Sequence, residues 1–567
     1  MPPRQLLLIE EDHMLAPDAA TAAQIARART VGGVPHTQPV TTWASIDALL
    51  MQRAAATPER ELLTFIDDDD RRSSQTYAAF ADRVARAATL LAEHGIGHGD
   101  RVATLAHNHP DTLLIYFACW RLGATVAPQN AGEDDARISF ILGNAGARLL
   151  VTMPASEGRA TALCAALPHD CPVLLLDDAF HARLAATVPQ MPANAPTLDD
   201  ECLLVYTSGT TGAPKGVQLS HYNLLADAHA IAEWQRIDDA QRMMTILPIH
   251  HVNGIVVTTI TPLYAGASIV LNRSFRASRF WQRIVDERVT IVSVVPTILQ
   301  FLCEAPHQPD RTRLALRHII CGAGTLAVAL AERFEAQFDV PILHGYGLSE
   351  TTCYSCFLPL DLTPAEHRAW LVDHGYPSIG VPIAINEMAI HDPAGAVLPD
   401  GERGEIVIRG HNVMMGYFQR PDANAEAFRH GWFRSGDEGF IRRDAGGRPF
   451  FFITGRLKEL INRGGVKYSP FEIEEVLGRI PGVRVGLAVA FDNVYYGEEV
   501  GAYIVAADGV TLDEAAVLAA CRAAMPFGKC PKVVIFGAEI PVTSTGKYQR
   551  LRLKVHFAAW EHAQFRE

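Results

Sequence analysis

Three glycines, four hydroxyl side chains, one proline and one lysine lie within the ten residues TSGTTGAPKG, Thr207 to Gly216. Glycines let a backbone approach a ligand closely and turn several N–H groups toward one point. Serine and threonine add donors, and Lys215 adds a mobile cation. That chemistry suits phosphate oxygens. The same composition suits a solvent-exposed turn, and the stretch alone leaves both readings open. It is not a P-loop, in which Gly-Lys is followed by Ser or Thr: here Pro214 precedes Lys215 and Gly216 follows it.

Other stretches imitate catalytic motifs. CGAGTLA, Cys321 to Ala327, fits G-x-G-x-x-A after the strand-like RHII, but no acidic residue closes a following strand where a dinucleotide site needs one. STGK, Ser544 to Lys547, matches the S-x-x-K of penicillin-binding enzymes without the companion motifs. Cys353 and Cys356 form a CxxC with no second pair at zinc-ligand spacing, so packing in a pocket or core is the preferred reading.

The elements around these residues alternate. ECLLVY, Glu201 to Tyr206, is a short apolar run that reads as a buried strand leading into the glycine-rich loop. Thr76 to Gly95 reads as a helix and Arg101 to Ala106 as a strand. This alternation predicts an α/β architecture with largely parallel sheets. Near Gly455 the character changes to a compact tail that reads as a small α+β domain. Ser469-Pro470-Phe471-Glu472 has the form of a capping box, and Ile473, Val476, Leu477 and Ile480 fall on one helical face. A second capping box is expected at Thr511 to Glu514, with strands in GLAVAF, GAYIVAA and KVVIF. The expected divisions are an N-terminal extension at 1–42, a large domain at 43–455 and a small domain at 456–567.

Composition limits the function. At 567 residues the chain exceeds one ordinary core, and 49% apolar residues argue against disorder. A formal net charge of −13 disfavours a nucleic-acid partner. Asp67 to Asp70, followed by two arginines, reads as a solvated turn between strands. The apolar patch at the N-terminus is too short for a signal peptide, and the longest candidate span, Gly254 to Leu271, is interrupted by polar residues, Pro and Gly. A soluble cytoplasmic protein with reduced thiols is expected.

Read in order, YTSGTTGAPKG, LPIHHVNG, HGYGLSETT, GERGEIVIRG, GWFRSGDEG, GRLKELINRGGVKYSP and PVTSTGKYQR resemble the signature motifs of the adenylate-forming superfamily, which includes acyl-CoA synthetases. The resemblance spans about residues 43 to 555 and implies a large domain, a mobile small domain and an active site between them. The implied reaction joins a carboxylate to ATP as acyl-AMP, releases pyrophosphate, and transfers the acyl group to a thiol.

By this resemblance Thr207, Ser208, Gly209, Thr210, Thr211, Gly212 and Lys215 hold the β- and γ-phosphates of ATP. Glu350 matches a Mg²⁺ ligand, and Thr351 a residue near the α-phosphate. Gly322, Ala323, Gly324, Tyr346 and Gly347 match the adenine site, and Asp437 and Arg456 the ribose contacts. Lys547 matches the catalytic lysine of adenylation and Lys458 the hinge position. Gly465 matches a glycine beside the thiol channel, where a side chain is expected to block a pantetheine arm; Asn462 and Lys467 lie in the same region.

His250, His251, Asn253, Cys353 and Tyr354 match the acyl pocket. A large Tyr354 is expected to shorten that pocket, and Asn253 to favour a polar acid. The expected substrate is therefore a small or medium carboxylic acid, with coenzyme A as acceptor. The alternative is transfer to a carrier-protein phosphopantetheine acting in trans, or to an amine. A silent nucleotide-binding protein ranks lower because Glu350 and Lys547 are both present.

Overall fold

The computed structural model describes residues 17–207, 214–306, 308–542 and 548–566. Two large sheets form the body. One has seven strands in the order Gly416–Tyr417, Lys215–Ser220, Glu201–Thr207, Thr125–Gln129, Arg101–Leu105, Leu149–Thr152 and Val173–Leu175. Its last five strands run parallel, and the two nearest the glycine-rich loop turn antiparallel. The other sheet has nine strands, with a parallel centre that includes His318–Cys321 and Ile342–Tyr346. Strands such as Thr125–Gln129 and Ser268–Asn272 are buried along their whole length, as parallel strands covered on both faces must be.

The helix Tyr77–Glu93 begins at Thr76, whose side chain accepts from Ala79 N, as its pattern predicts. Asp67 to Asp70 turn between the antiparallel strands Glu61–Ile66 and Arg72–Thr76. That turn is not simply solvated, because Asp70 holds the buried guanidinium of Arg283 at 2.7 Å.

Residues 1–42 read as an extension, yet the described part of that segment enters the large core. Asp18 caps the helix Ala19–Ala28, whose Ile25 and Ala28 are buried there. The short hairpin Thr30–Val31 with Val34–Pro35 follows, and the Val34 carbonyl lies 3.0 Å from His411 Nε2. An alanine-rich helix that buries so few large side chains gives almost no apolar periodicity to read.

A four-stranded antiparallel sheet ends the large body: Asn386–His391, Gly404–Gly410, Phe433–Arg443 and Pro449–Arg456. The small tail forms its own sheet from Val466–Tyr468, Ile461–Arg463, Gly497–Ala506, Val483–Asn493 and Val533–Phe536. Its core contains Ile473, Leu477, Val500, Val517 and Cys521. The helix Pro470–Gly478 buries Ile473 and Leu477 and half-buries Val476 along the expected face, and half-buried Ile480 follows beyond its end.

Two capping expectations are corrected. Ser469 makes no side-chain cap; its hydroxyl donates to the Thr454 carbonyl instead. Glu472 leaves its own helix terminus and accepts from Tyr376 and Arg403 of the large body. The second helix, Glu514–Ala524, is capped by Asp513 accepting from Ala516 N, not by Thr511.

All ten cysteines are buried without a disulfide among the described residues. Within those residues no helix is long and apolar enough to cross a membrane.

Candidate active site

The carboxyl ends of three strands converge here. Thr207 ends one, Cys321 leads into Gly322, and Tyr346 leads into Gly347. In open α/β sheets ligands bind beyond such ends, where loops expose backbone donors. Ser208 to Gly212 and Lys547 lie outside the described residues.

Lys215 opens the strand after the loop, and its Nζ lies 4.7 Å from the Tyr417 ring centroid. The Tyr417 hydroxyl donates to Glu350 Oε1 at 2.8 Å. Asn424 fixes Tyr417 by accepting from its N–H at 2.7 Å and donating to its carbonyl at 3.0 Å. Burial, and then the Glu350 carboxylate, push the Tyr417 phenol well above its ordinary range, so it stays a donor. A cation, a phenol and a carboxylate thus stand in line. The sequence reading missed Tyr417, although GYFQRP supplies an aromatic close after the GERGEIVIRG stretch.

Glu350 sits on the 3-10 turn Ser349–Thr351, and its carbonyl accepts from Met414 N at 2.8 Å. Thr351, matched above to a residue near the α-phosphate, turns inward in this structure. Thr351 is fully buried, and its hydroxyl oxygen accepts from Leu348 N at 3.0 Å within the turn. Ser349, half-buried on the same turn, is the hydroxyl available to a ligand.

Asp437 and Arg456 are nineteen positions apart and face each other in the ladder of Phe433–Arg443 with Pro449–Arg456. Arg456 Nε lies 2.9 Å from Asp437 Oδ1, and the Tyr346 hydroxyl donates to Asp437 Oδ2 at 2.6 Å. Asp437 is buried and raises the arginine above its ordinary range. Burial, and then Asp437, raise the Tyr346 phenol.

Backbone thinness in this region is required by the protein's own packing. A Cβ on Gly347 would meet the Cys353 carbonyl at 1.9 Å, and one on Gly322 would meet the Tyr354 hydroxyl at 2.4 Å. Ala323 lies between Gly322 and Gly324 at φ +62°, a left-handed conformation that L-residues seldom adopt. Gly324 packs against Pro296.

The residues matched to the acyl pocket start at LPIHHVNG. Asn108 closes this loop: its Nδ2 donates to the Leu247 carbonyl at 3.1 Å and its Oδ1 accepts from Ile249 N at 2.9 Å. A Cβ on Gly254 would strike the Pro248 carbonyl at 2.6 Å, so the loop folds tightly on itself. Asn253 opens a π-helical run, Asn253–Ile260, in which the Thr259 hydroxyl also donates to the Gly254 carbonyl at 2.8 Å. Such widened turns often occur at functional sites.

Asn253 Nδ2 donates to the Tyr354 hydroxyl at 3.4 Å. Asn253 Oδ1 and His250 Nε2 are buried without a partner among the described residues. The His250 ring lies tilted against that of His251, with centroids 4.4 Å apart. Burial, and then nearby His107, lower His250 to about 4, so it is a neutral imidazole. Tyr354 is buried against Gly322, and Cys353 lies beside it. Cys356 packs in the core with its Sγ 3.8 Å from the Tyr346 carbonyl.

The small-domain residues are spread out. Lys458 is exposed after the strand that ends at Arg456. Asn462 and Lys467 face each other across a hairpin whose turn is Gly464-Gly465, both at positive φ. A Cβ on Gly465 meets nothing within 4 Å. In this orientation the turn geometry, not a neighbouring wall, requires the glycine.

The AMP-binding enzyme family model matches residues 50–418, and the model of its C-terminal domain matches 472–547. The chain belongs to this family. It is 35% identical over 521 residues to the sulfoacetate–CoA ligase of Cupriavidus necator, covering 90% of this chain and 98% of that protein. It is 32% identical to the oxalate–CoA ligase of Arabidopsis thaliana, covering 90% and 98%. The fold superposes on ATP-bound MatB of Rhodopseudomonas palustris with a TM-score of 0.82, 27% identity, and coverage of 91% and 99%. The protein is an AMP-forming acyl-CoA ligase, as the motif series implies: it activates an acid as acyl-AMP and passes it to coenzyme A.

Proposed function

We propose that this ligase acts on a short, polar carboxylic acid. The observation that carries the reading is the acid-side wall, where Tyr354 closes on Gly322 and two buried polar atoms, His250 Nε2 and Asn253 Oδ1, have no partner among the described residues. An apolar tail would leave those atoms unpaired, whereas a polar substrate group satisfies them. The relatives named for sulfoacetate and oxalate are named for short acids with a second anionic group.

In this reading Lys215 and the loop from Thr207 to Gly212 cradle the pyrophosphate end of ATP. Ser349 donates to the α-phosphate, Asp437 accepts from the ribose hydroxyls, and Tyr346 lies against the adenine. Glu350 is a buried hard oxygen donor next to the phosphate loop, which fits Mg²⁺; that ion takes one or two carboxylates and completes its shell with phosphates and water. Bound there, Mg²⁺ neutralises phosphate charge. Lys547 brings its cation to the carboxylate and the α-phosphate as the carboxylate oxygen displaces pyrophosphate. The small domain then turns about Lys458, and the coenzyme A thiolate attacks the acyl carbon to release AMP. A carrier-protein thiol is the second acceptor to try.

The test is acid-dependent pyrophosphate release with ATP and Mg²⁺, for sulfoacetate, oxalate, propionate and octanoate, each with and without coenzyme A. Stimulation by coenzyme A with a short polar acid at least about tenfold ahead of octanoate is expected. Octanoate as the best acid contradicts the reading.

A further inference from the structure

Helix His221–Gln235 is apolar along most of its buried face, yet it carries Asn223 and Asp227 four residues apart, both fully buried. Residues spaced i, i+4 share one helix face, and these two meet the same loop. Asn223 Nδ2 donates to the carbonyls of His411 and Val413, each at 3.0 Å. Asp227 Oδ1 accepts from Asn412 Nδ2 at 2.9 Å.

Asn412 passes the constraint on. Its Nδ2 also donates to the Tyr354 carbonyl at 2.8 Å, and Tyr354 N donates to Asp227 Oδ2 at 3.4 Å. Asn386 Nδ2 donates to Asn412 Oδ1 at 2.7 Å, which fixes the amide orientation. Thr352 donates to the Asn412 carbonyl at 2.7 Å and is held at φ +61°, a costly conformation for a β-branched residue. Both backbone polar groups of Tyr354 are therefore held by one buried pair, Asp227 with Asn412. Burial, partly opposed by the Asn412 hydrogen bond, raises the Asp227 carboxyl to about 8. The cost of keeping an acid there is explained if its placement matters.

We propose that Asp227 is a positioning residue for acid selectivity: acting with Asn412, it pins the Tyr354 backbone so that the tyrosine ring stays against Gly322 and sets the depth of the acid pocket. It touches neither substrate nor nucleotide. The proposal rests on the reading of Tyr354 as the pocket floor. Releasing the backbone lets the ring retreat from Gly322, which deepens the pocket and relaxes the bias against longer acids.

The experiment compares kcat/KM for octanoate with that for propionate in the full-length enzyme, with the ATP KM and Tm measured alongside. Tyr354→Ala tests the floor and is expected to raise the ratio at least tenfold. Asp227→Ala loses both acceptors and is expected to raise it at least fivefold, with the ATP KM within twofold of the parent. Asp227→Asn keeps one acceptor and is expected to raise it about twofold. Should Asp227→Ala fail to fold, the near-isosteric Asp227→Asn decides. A purely structural role lowers Tm and both activities by one common factor. Unchanged ratios in the Asp227 variants, with the shift present in Tyr354→Ala, overturn the proposal and leave the floor standing. No shift in Tyr354→Ala overturns both.

Discussion

On the side of the site proposed to hold the nucleotide, the charged groups are already held. Asp437 binds Arg456 and Tyr346, and Glu350 binds Tyr417. On the acid side His250 Nε2 and Asn253 Oδ1 are buried without partners among the described residues. The difference teaches where each half gets its specificity. In the proposed reading, preorganised charges serve one constant ligand, ATP, and need little rearrangement when it binds. Unsatisfied buried polar atoms are a cost that a particular substrate removes, so they report on that substrate.

The contrast can be broken from either side. Glu350→Ala should have the largest effect, a loss of at least about 100-fold in pyrophosphate release for every acid alike. Rates restored by no acid, and an unchanged ranking of acids, place the residue with the nucleotide. Asp437→Ala should raise the ATP KM about tenfold, the cost of losing hydrogen bonds to a charged acceptor, and leave the acid KM nearly unchanged. A larger change in the acid KM would merge the two halves. Tyr417→Phe removes one hydrogen bond to Glu350 and should slow adenylation about threefold to tenfold.

The smallest effect concerns pH. Burial lowers His221, His250 and His344 to about 4 and His318 to about 3. Each is neutral when folded and binds a proton more readily when unfolded. Their neutral forms favour folding fully above the ordinary imidazole value near 6.5, and that advantage is lost as pH falls from there toward 4. Thermal melts should show Tm falling by several degrees between pH 7 and pH 5. The acid kcat/KM should show no histidine step near pH 6.5 that His250→Asn removes.

The sequence made the α/β class, the small α+β tail and the strand entering the glycine-rich loop legible, because each rests on local periodicity or on a turn. Motif resemblance also brought together Asp437 and Arg456, which the hairpin register then places face to face. What escaped depends on side-chain direction. Thr351 turns inward to Leu348, whereas Ser349, two positions earlier on the same turn, stays half-buried. Glu472 has the spacing of a capping residue but crosses to Tyr376 and Arg403, a long-range choice no local pattern encodes. The pair Asp227 and Asn412 lies 185 positions apart. Its only sequence signal is the unexpected pair of polar residues on an apolar helix.

The central claim is that buried polar atoms on the acid side choose the acid. The measurement that tests it most directly is wild-type acyl-CoA formation with short acids of matched length, oxalate and sulfoacetate against acetate and propionate, read as kcat/KM at fixed ATP and coenzyme A. The account predicts at least about a tenfold advantage for a polar acid, in line with the cost of leaving buried polar groups unpaired. Equal values, or an advantage for the apolar acids, would contradict it.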